Sequence, residues 1–241
     1  MKHLFFLSLF IFSVCLSAQE GIPLNCDEFS LKINSNTANS IGFISEEKYF
    51  SIIKNSIKIS KPTAIKENAD LYREFQEKFP KKITRHCINS KYDYNEGIKY
   101  LSYCDDATTL TLINKEYNFY IFKEKGYETD HYLLFNTQDQ IIYSTTNYPV
   151  ILEKGGLVFD IGDFYNGLQV INYYKFTGTK TEYLQCTLPL HYTIQDFRLV
   201  NQNGTVKVVV DIIKHHFKKK IVNNHAEFYI DDYCRKFLLI E

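Results

Sequence analysis

The spacing of apolar positions changes partway along the chain. In "SEEKYFSIIKNSIK", Ser45 to Lys58, the residues Tyr49, Phe50, Ile52, Ile53 and Ile57 recur at an approximate helical period. Ser45 is placed as an N-cap, with Lys48 where a capping box would ideally hold Glu or Gln. "AIKENADLYREFQEKFP" repeats the pattern with Ile65, Ala69, Tyr72, Phe75 and Phe79, and Pro80 stops it. Its charges, among them Lys66, Asp70 and Glu74, read as a solvated face. From about Lys91 the period becomes two. "TLTLI", "YNFYIFK", "HYLLFN", "QIIYST", "LVFDI", "LQVINYYKF", "EYLQCTL", "TIQDFRLV", "TVKVVVDIIK", "AEFYI" and "KFLLI" are short β-branched or aromatic runs separated by polar turns. The predicted fold is mainly β with a small helical N-terminal part (α+β), the sheet being an antiparallel meander, sandwich or propeller-like.

One turn cluster stands out. "GGLVFDIGDFYNGLQV", Gly155 to Val170, sets glycines, Asp160, Asp163 and Asn166 between apolar runs. Gly155-Gly156 reads as a hairpin break, and Gly162, Asn166 and Gly167 tolerate turn conformations. The stretch resembles an uncharacterised group of secreted bacterial β proteins. Their hairpin reads Pro-x-x-Ser-Pro-Asp-Gly-Lys, an acid-bearing strand, then Asn-Gly-Ile-Gln-Ile. The matching positions are Pro149, Gly155, Asp160, Asn166, Gly167, Leu168, Gln169 and Val170, while Leu152, Glu153 and Lys154 replace Ser-Pro-Asp. The resemblance implies a blade-like β-hairpin and no activity.

The N-terminus fixes the expected compartment. Lys2 and His3 precede an uncharged apolar run, Leu4 to Ala18, before "QE". As a helix this run rises only about 22 Å, short of the roughly 30 Å hydrocarbon core. Residues 1–18 are read as a secretory signal peptide cleaved after Ala18 or Ser17. The mature protein is expected to be secreted or periplasmic, with no transmembrane helix. Lipid anchoring at Cys15 is not expected, because Val14 sits where a small residue is needed. The mature chain divides into residues 19–90, with two helices, and a β-rich domain, 91–241.

The 28 basic and 28 acidic residues balance, which disfavours nucleic acid as a partner. Export makes disulfides plausible for the remaining cysteines. Cys87 and Cys104 are closest in sequence among Cys26, Cys87, Cys104, Cys186 and Cys234, and are the expected bridge. It would close "INSKYDYNEGIKYLSY" and tie the helical part to the first strand. No Cys-x-x-Cys pair occurs, and no metal or cofactor is expected.

Candidate chemistry is sparse. Asp160, Asp163 and Asn166 form a possible ligand or cation cluster, although Asp-x-x-Asp specifies neither acid–base chemistry nor calcium. In "DIIKHHFKKKIVNNH", Asp211, His215, His216 and His225 have ligand chemistry, but adjacent histidines on a strand face opposite ways. Lys214, Lys218, Lys219 and Lys220 read as a solvated hairpin tip that guards an edge. No G-x-S-x-G elbow is present, and His191 with Asp196 lacks a nucleophile nearby. The expected function is a non-catalytic binding protein of the cell envelope, meeting a protein or glycan. The alternative is a secreted hydrolase with loop-borne carboxylates and histidines.

Overall fold

The computed structural model describes residues 25–36, 41–59, 66–94, 97–126, 130–163, 167–178, 180–222 and 225–241. The proposed signal peptide, Cys15 and Asn166 lie outside them. In chain order come strands β1 (Lys32–Ser35) and β2 (Ile41–Ile44), helix α1 (Glu46–Ile52), β3 (Ser56–Ile57) and helix α2 (Ala69–Lys78). Next follow β4 (Cys87–Tyr94), β5 (Gly97–Cys104), β6 (Thr109–Glu116), β7 (Phe119–Lys125), β8 (Asp130–Asn136) and β9 (Ile141–Thr145). These six make sheet I, in the order β5-β4-β9-β8-β7-β6, with only β4 and β9 parallel. Strands β10 (Val150–Leu152), β11 (Leu157–Asp163), β12 (Gln169–Thr177) and β13 (Lys180–Thr187) form a meander that β1 completes as sheet II. Finally β14 (Tyr192–Gln202), β15 (Thr205–Val222) and β16 (His225–Ile240) form sheet III, with β2 and β3 on its two edges.

The sheets stack face to face in chain order, and a helix covers each end of the stack. Sheet II lies in the middle. Leu157, Phe159, Ile171, Tyr173 and Leu184 face sheet III, where they meet Leu199, Val208, Val210 and Leu238. From the other side of sheet II, Ile151, Val158 and Tyr174 meet Phe119, Ile121, Leu134 and Tyr143 of sheet I. A strand buried on both faces needs apolar residues at nearly every position, which is why "LVFDI" and "LQVINYYKF" are so continuous.

Helix α1 starts where the Ser45 side chain accepts the Lys48 N–H at 3.2 Å. It buries Tyr49 and Ile52 on the outer face of sheet III, and the Tyr49 ring stacks on Phe237 at 4.2 Å. Helix α2 is capped by the Asn68 side chain, which accepts the Leu71 N–H at 3.0 Å. Its Phe75 is fully buried among the rings of Tyr120, Phe122 and Phe135, with centroids 5.0, 5.0 and 5.2 Å away. Beside it, the Glu74 carboxylate accepts from Lys78 of its own helix at 2.6 Å and from Lys115 and Tyr120 of sheet I, each at 2.9 Å.

Several expectations are corrected here. The helix expected over Ser45–Lys58 ends at Ile52. A single 3₁₀ turn follows, and Ile57 then pairs with Leu199 as an edge strand. The two-residue pattern starts at Cys87 rather than Lys91. The described strands of the N-terminal part are shared with the later sheets. β1 pairs with β13, β2 with β16 and β3 with β14, while the two helices cover opposite ends of the stack. The segment between Cys87 and Cys104 is the hairpin β4–β5, and their bridge joins directly opposed residues, Cα atoms 4.1 Å apart, at its open end. A second disulfide, Cys26–Cys234, has Cα atoms 5.4 Å apart. Two disulfides fit an oxidising compartment. Among the described residues no helix is long and apolar enough to cross a membrane.

Candidate functional site

Asp160, Asp163 and Gln169 come from the one stretch that looked like a site. Asp160 lies on β11 opposite Asn172, and it is almost completely buried. Its Oδ2 accepts from Thr146 N at 2.9 Å, Thr146 Oγ1 at 2.7 Å and Asn147 N at 3.1 Å, and its Oδ1 accepts from Asn172 Nδ2 at 2.9 Å. Burial pushes its pKa up to about 6 against the pull of these donors. At neutral pH the group is the carboxylate that four donors require. Asn172 in turn accepts from Gln185 Nε2 at 2.9 Å, so a polar row crosses sheet II from β11 to β13. Thr146 and Asn147 follow β9, so Asp160 ties sheet II to sheet I. Gly162 lets this happen, because a Cβ there would stand 2.6 Å from Thr146 Cβ. Gln169 makes the matching tie to sheet III, its Oε1 accepting Ile194 N at 2.5 Å. The stretch is a joint between three sheets.

That geometry separates the proposed acid pair. Successive residues of β11 alternate in direction, so Asp160 faces sheet I while Asp163 points the other way and is exposed. The two do not converge on one ligand.

The histidine-rich segment is placed differently from its reading as a tip. Lys214 and Lys218 to Lys220 lie within β15, which runs on to Val222 opposite His225 of β16. His215 Nε2 is 2.9 Å from Thr193 Oγ1, and His216 Nδ1 is 3.8 Å from Asp231 on β16. His225 sits at the far end of the hairpin, opposite Val222. Asp211 is committed to Arg235, which reaches both of its oxygens at 2.9 and 2.5 Å and lies over the Phe237 ring at 5.2 Å. Among the described residues no three His, Cys, Asp or Glu side chains gather as a metal site. Asp196 pairs with Arg198 at 2.8 Å, and burial lowers the pKa of His191. Burial pushes the Cys186 thiol up to about 12, which leaves it a core residue rather than a nucleophile. A shallow hollow of about 380 Å³ at the β3 edge is lined by Ser56, Ile57, Lys58, Ile59, Phe197 and Arg198, without a carboxylate or histidine.

The feature that composition and motifs missed is the outer half of β15 and β16. β14 pairs with β15 only as far as Lys214, and β2 pairs with β16 only from Phe237. Beyond those points the two strands continue as a ribbon of paired residues out to Val222 opposite His225. Eight residues of strand carry it about 26 Å past its neighbours. Opposed residues share a face, and the pairs Phe217–Ile230 and Lys219–Phe228, with Ile221, therefore lie on one side. Phe217, Ile221, Phe228 and Ile230 are 45, 60, 68 and 53 % exposed. The other face carries Lys218 opposite Tyr229 and Lys220 opposite Glu227. The even spacing of Phe217 with Ile221 and of Phe228 with Ile230 is the signal for this, once the lysines are counted as strand residues rather than turn.

The root of the ribbon is clamped. Cys234 is bridged to Cys26, and Lys214 donates to the carbonyls of Asn25 and Glu28 at 3.1 and 2.7 Å. A β-bulge between His216 and Phe217 lies just beyond, where the ribbon leaves the sheet. No protein-family model, curated protein or solved structure matches the chain.

Proposed function

We propose that the chain is an exported, non-catalytic binding protein of the cell envelope whose binding element is the β15–β16 ribbon, meeting a protein. The N-terminal segment read as a signal peptide and the two disulfides support export. The observation that carries the binding reading is the row of exposed Phe217, Ile221, Phe228 and Ile230 on one face of a two-stranded ribbon. An isolated two-stranded hairpin is marginal in water, and contiguous exposed apolar surface marks interaction sites. Anchoring by Cys26–Cys234 holds that surface away from the body, as presentation to a partner requires. The likeness of Gly155–Val170 to secreted β proteins agrees with this reading and, given the joint it forms, adds scaffold rather than chemistry.

The test is a photo-crosslinking side chain placed at Phe228 and, as control, at exposed Glu77 in the exported protein. Adducts at Phe228 and none at Glu77 are expected. Equal yields at the two positions would remove the ribbon from the argument.

A further inference from the structure

Resting on that reading of the ribbon, we propose that its occupant is a second copy of this chain, added edge to edge so that β15 of one copy pairs with β16 of the next. The two strands differ in charge. β15 carries Lys218, Lys219 and Lys220, whereas β16 carries Glu227, Asp231 and Asp232 in the same stretch. Their fit is already visible within one molecule. Lys220 stands opposite Glu227, and Lys218 bonds Asp231 at 2.7 Å. β15 has two edges and β16 occupies one. Among the described residues no strand lies on the other from Phe217 to Val222. The β16 of another copy offers that edge the same basic-to-acidic complement.

Like-with-like pairing is disfavoured by the same charges. A β15–β15 contact sets lysines against lysines, and a β16–β16 contact sets Glu227 near aspartates. Edge lysines normally block pairing altogether; here they leave one acceptable neighbour, a strand bearing acids. In the resulting array all strands are antiparallel and all ribbon tips point one way. The apolar rows of Phe217, Ile221, Phe228 and Ile230 line up on a single face. The contact is heterologous, so it closes into a ring or continues as a filament.

Sedimentation velocity on the full exported chain over a wide concentration range reads the association directly. A charge-swapped chain, Lys218→Glu and Lys220→Glu with Glu227→Lys and Asp231→Lys, keeps each hairpin's internal complement. Wild type and swapped chain should each self-associate. Mixed oligomers should form about tenfold less than random mixing gives, the effect of ~1.4 kcal/mol of discrimination. Free mixing, or a wild-type chain monomeric throughout, overturns the proposal. The Phe228 crosslinker separates the two levels of failure. An adduct between two copies supports self-association. An adduct with another protein or with lipid alone overturns it; the protein adduct leaves the ribbon standing as a protein-binding element. No adduct at Phe228 overturns both.

Discussion

Asp160 is a charge held in the interior, and its surroundings fix what its loss would do. Three of its four hydrogen bonds come from Thr146 and Asn147, two of them from backbone N–H groups. An asparagine keeps the shape but can turn only one oxygen toward those donors, and its NH₂ would oppose a donor. Asp160→Asn should therefore lower the unfolding free energy by about 2–4 kcal/mol in urea titration. Gly162→Ala acts at the same joint through volume, because its Cβ and that of Thr146 cannot both keep their places. A loss of about 1–3 kcal/mol is expected there. If both variants unfold at the wild-type midpoint, the joint is not what holds sheets I and II together. The sequence showed that this stretch was special, by its glycines and acids, but not why. A buried acid and an exposed one look alike until strand direction assigns Asp160 and Asp163 to opposite faces.

Elements that depend on neighbours in sequence were legible, and those that depend on distant partners were not. Ser45 caps α1 and Phe75 points inward from α2 as the helical period requires. By contrast β1, β2 and β3 are four, four and two residues long and exist because β13, β16 and β14 offer them an edge. No local pattern announces such strands. Docking of α2 provides a pH test of this level. Hydrogen bonds from Lys78, Lys115 and Tyr120 hold the Glu74 carboxyl down to about 2, well below its ordinary 4.5. A carboxyl depressed on folding contributes stability that is full above about 4.5 and is lost as pH falls through about 2. Acid unfolding of Glu74→Gln should accordingly show a shallower limb over that range than wild type, the curves converging toward pH 2. Parallel curves would mean that Glu74 does not couple α2 to sheet I.

At the scale of the whole molecule, three consecutive sheets stack in chain order, and the N-terminal strands close edges that the later sheets leave open. That arrangement makes the two disulfides unequal. Cys87–Cys104 spans 17 residues within one hairpin, whereas Cys26–Cys234 spans 208 and joins the first described segment to the last strand. In the chain-entropy account a bridge restricts the unfolded chain more as its loop lengthens, by about 3 kcal/mol for the short loop and about 5 kcal/mol for the long one. The native contacts argue the same way. Around Cys26, Phe29 meets Tyr192 and Phe43 at 5.1 and 5.5 Å, and Lys214 holds the Asn25 and Glu28 carbonyls, so losing the bridge releases the segment that clamps the ribbon's root. Alanine at both Cys26 and Cys234 should thus lower stability more than alanine at both Cys87 and Cys104, as read by guanidinium unfolding under non-reducing conditions. It should also raise amide exchange in β16 from Phe228 to Tyr233, which the hairpin double variant should leave unchanged. Equal losses, with exchange along β16 unmoved, would show that sheet III secures the ribbon without help from the N-terminal segment.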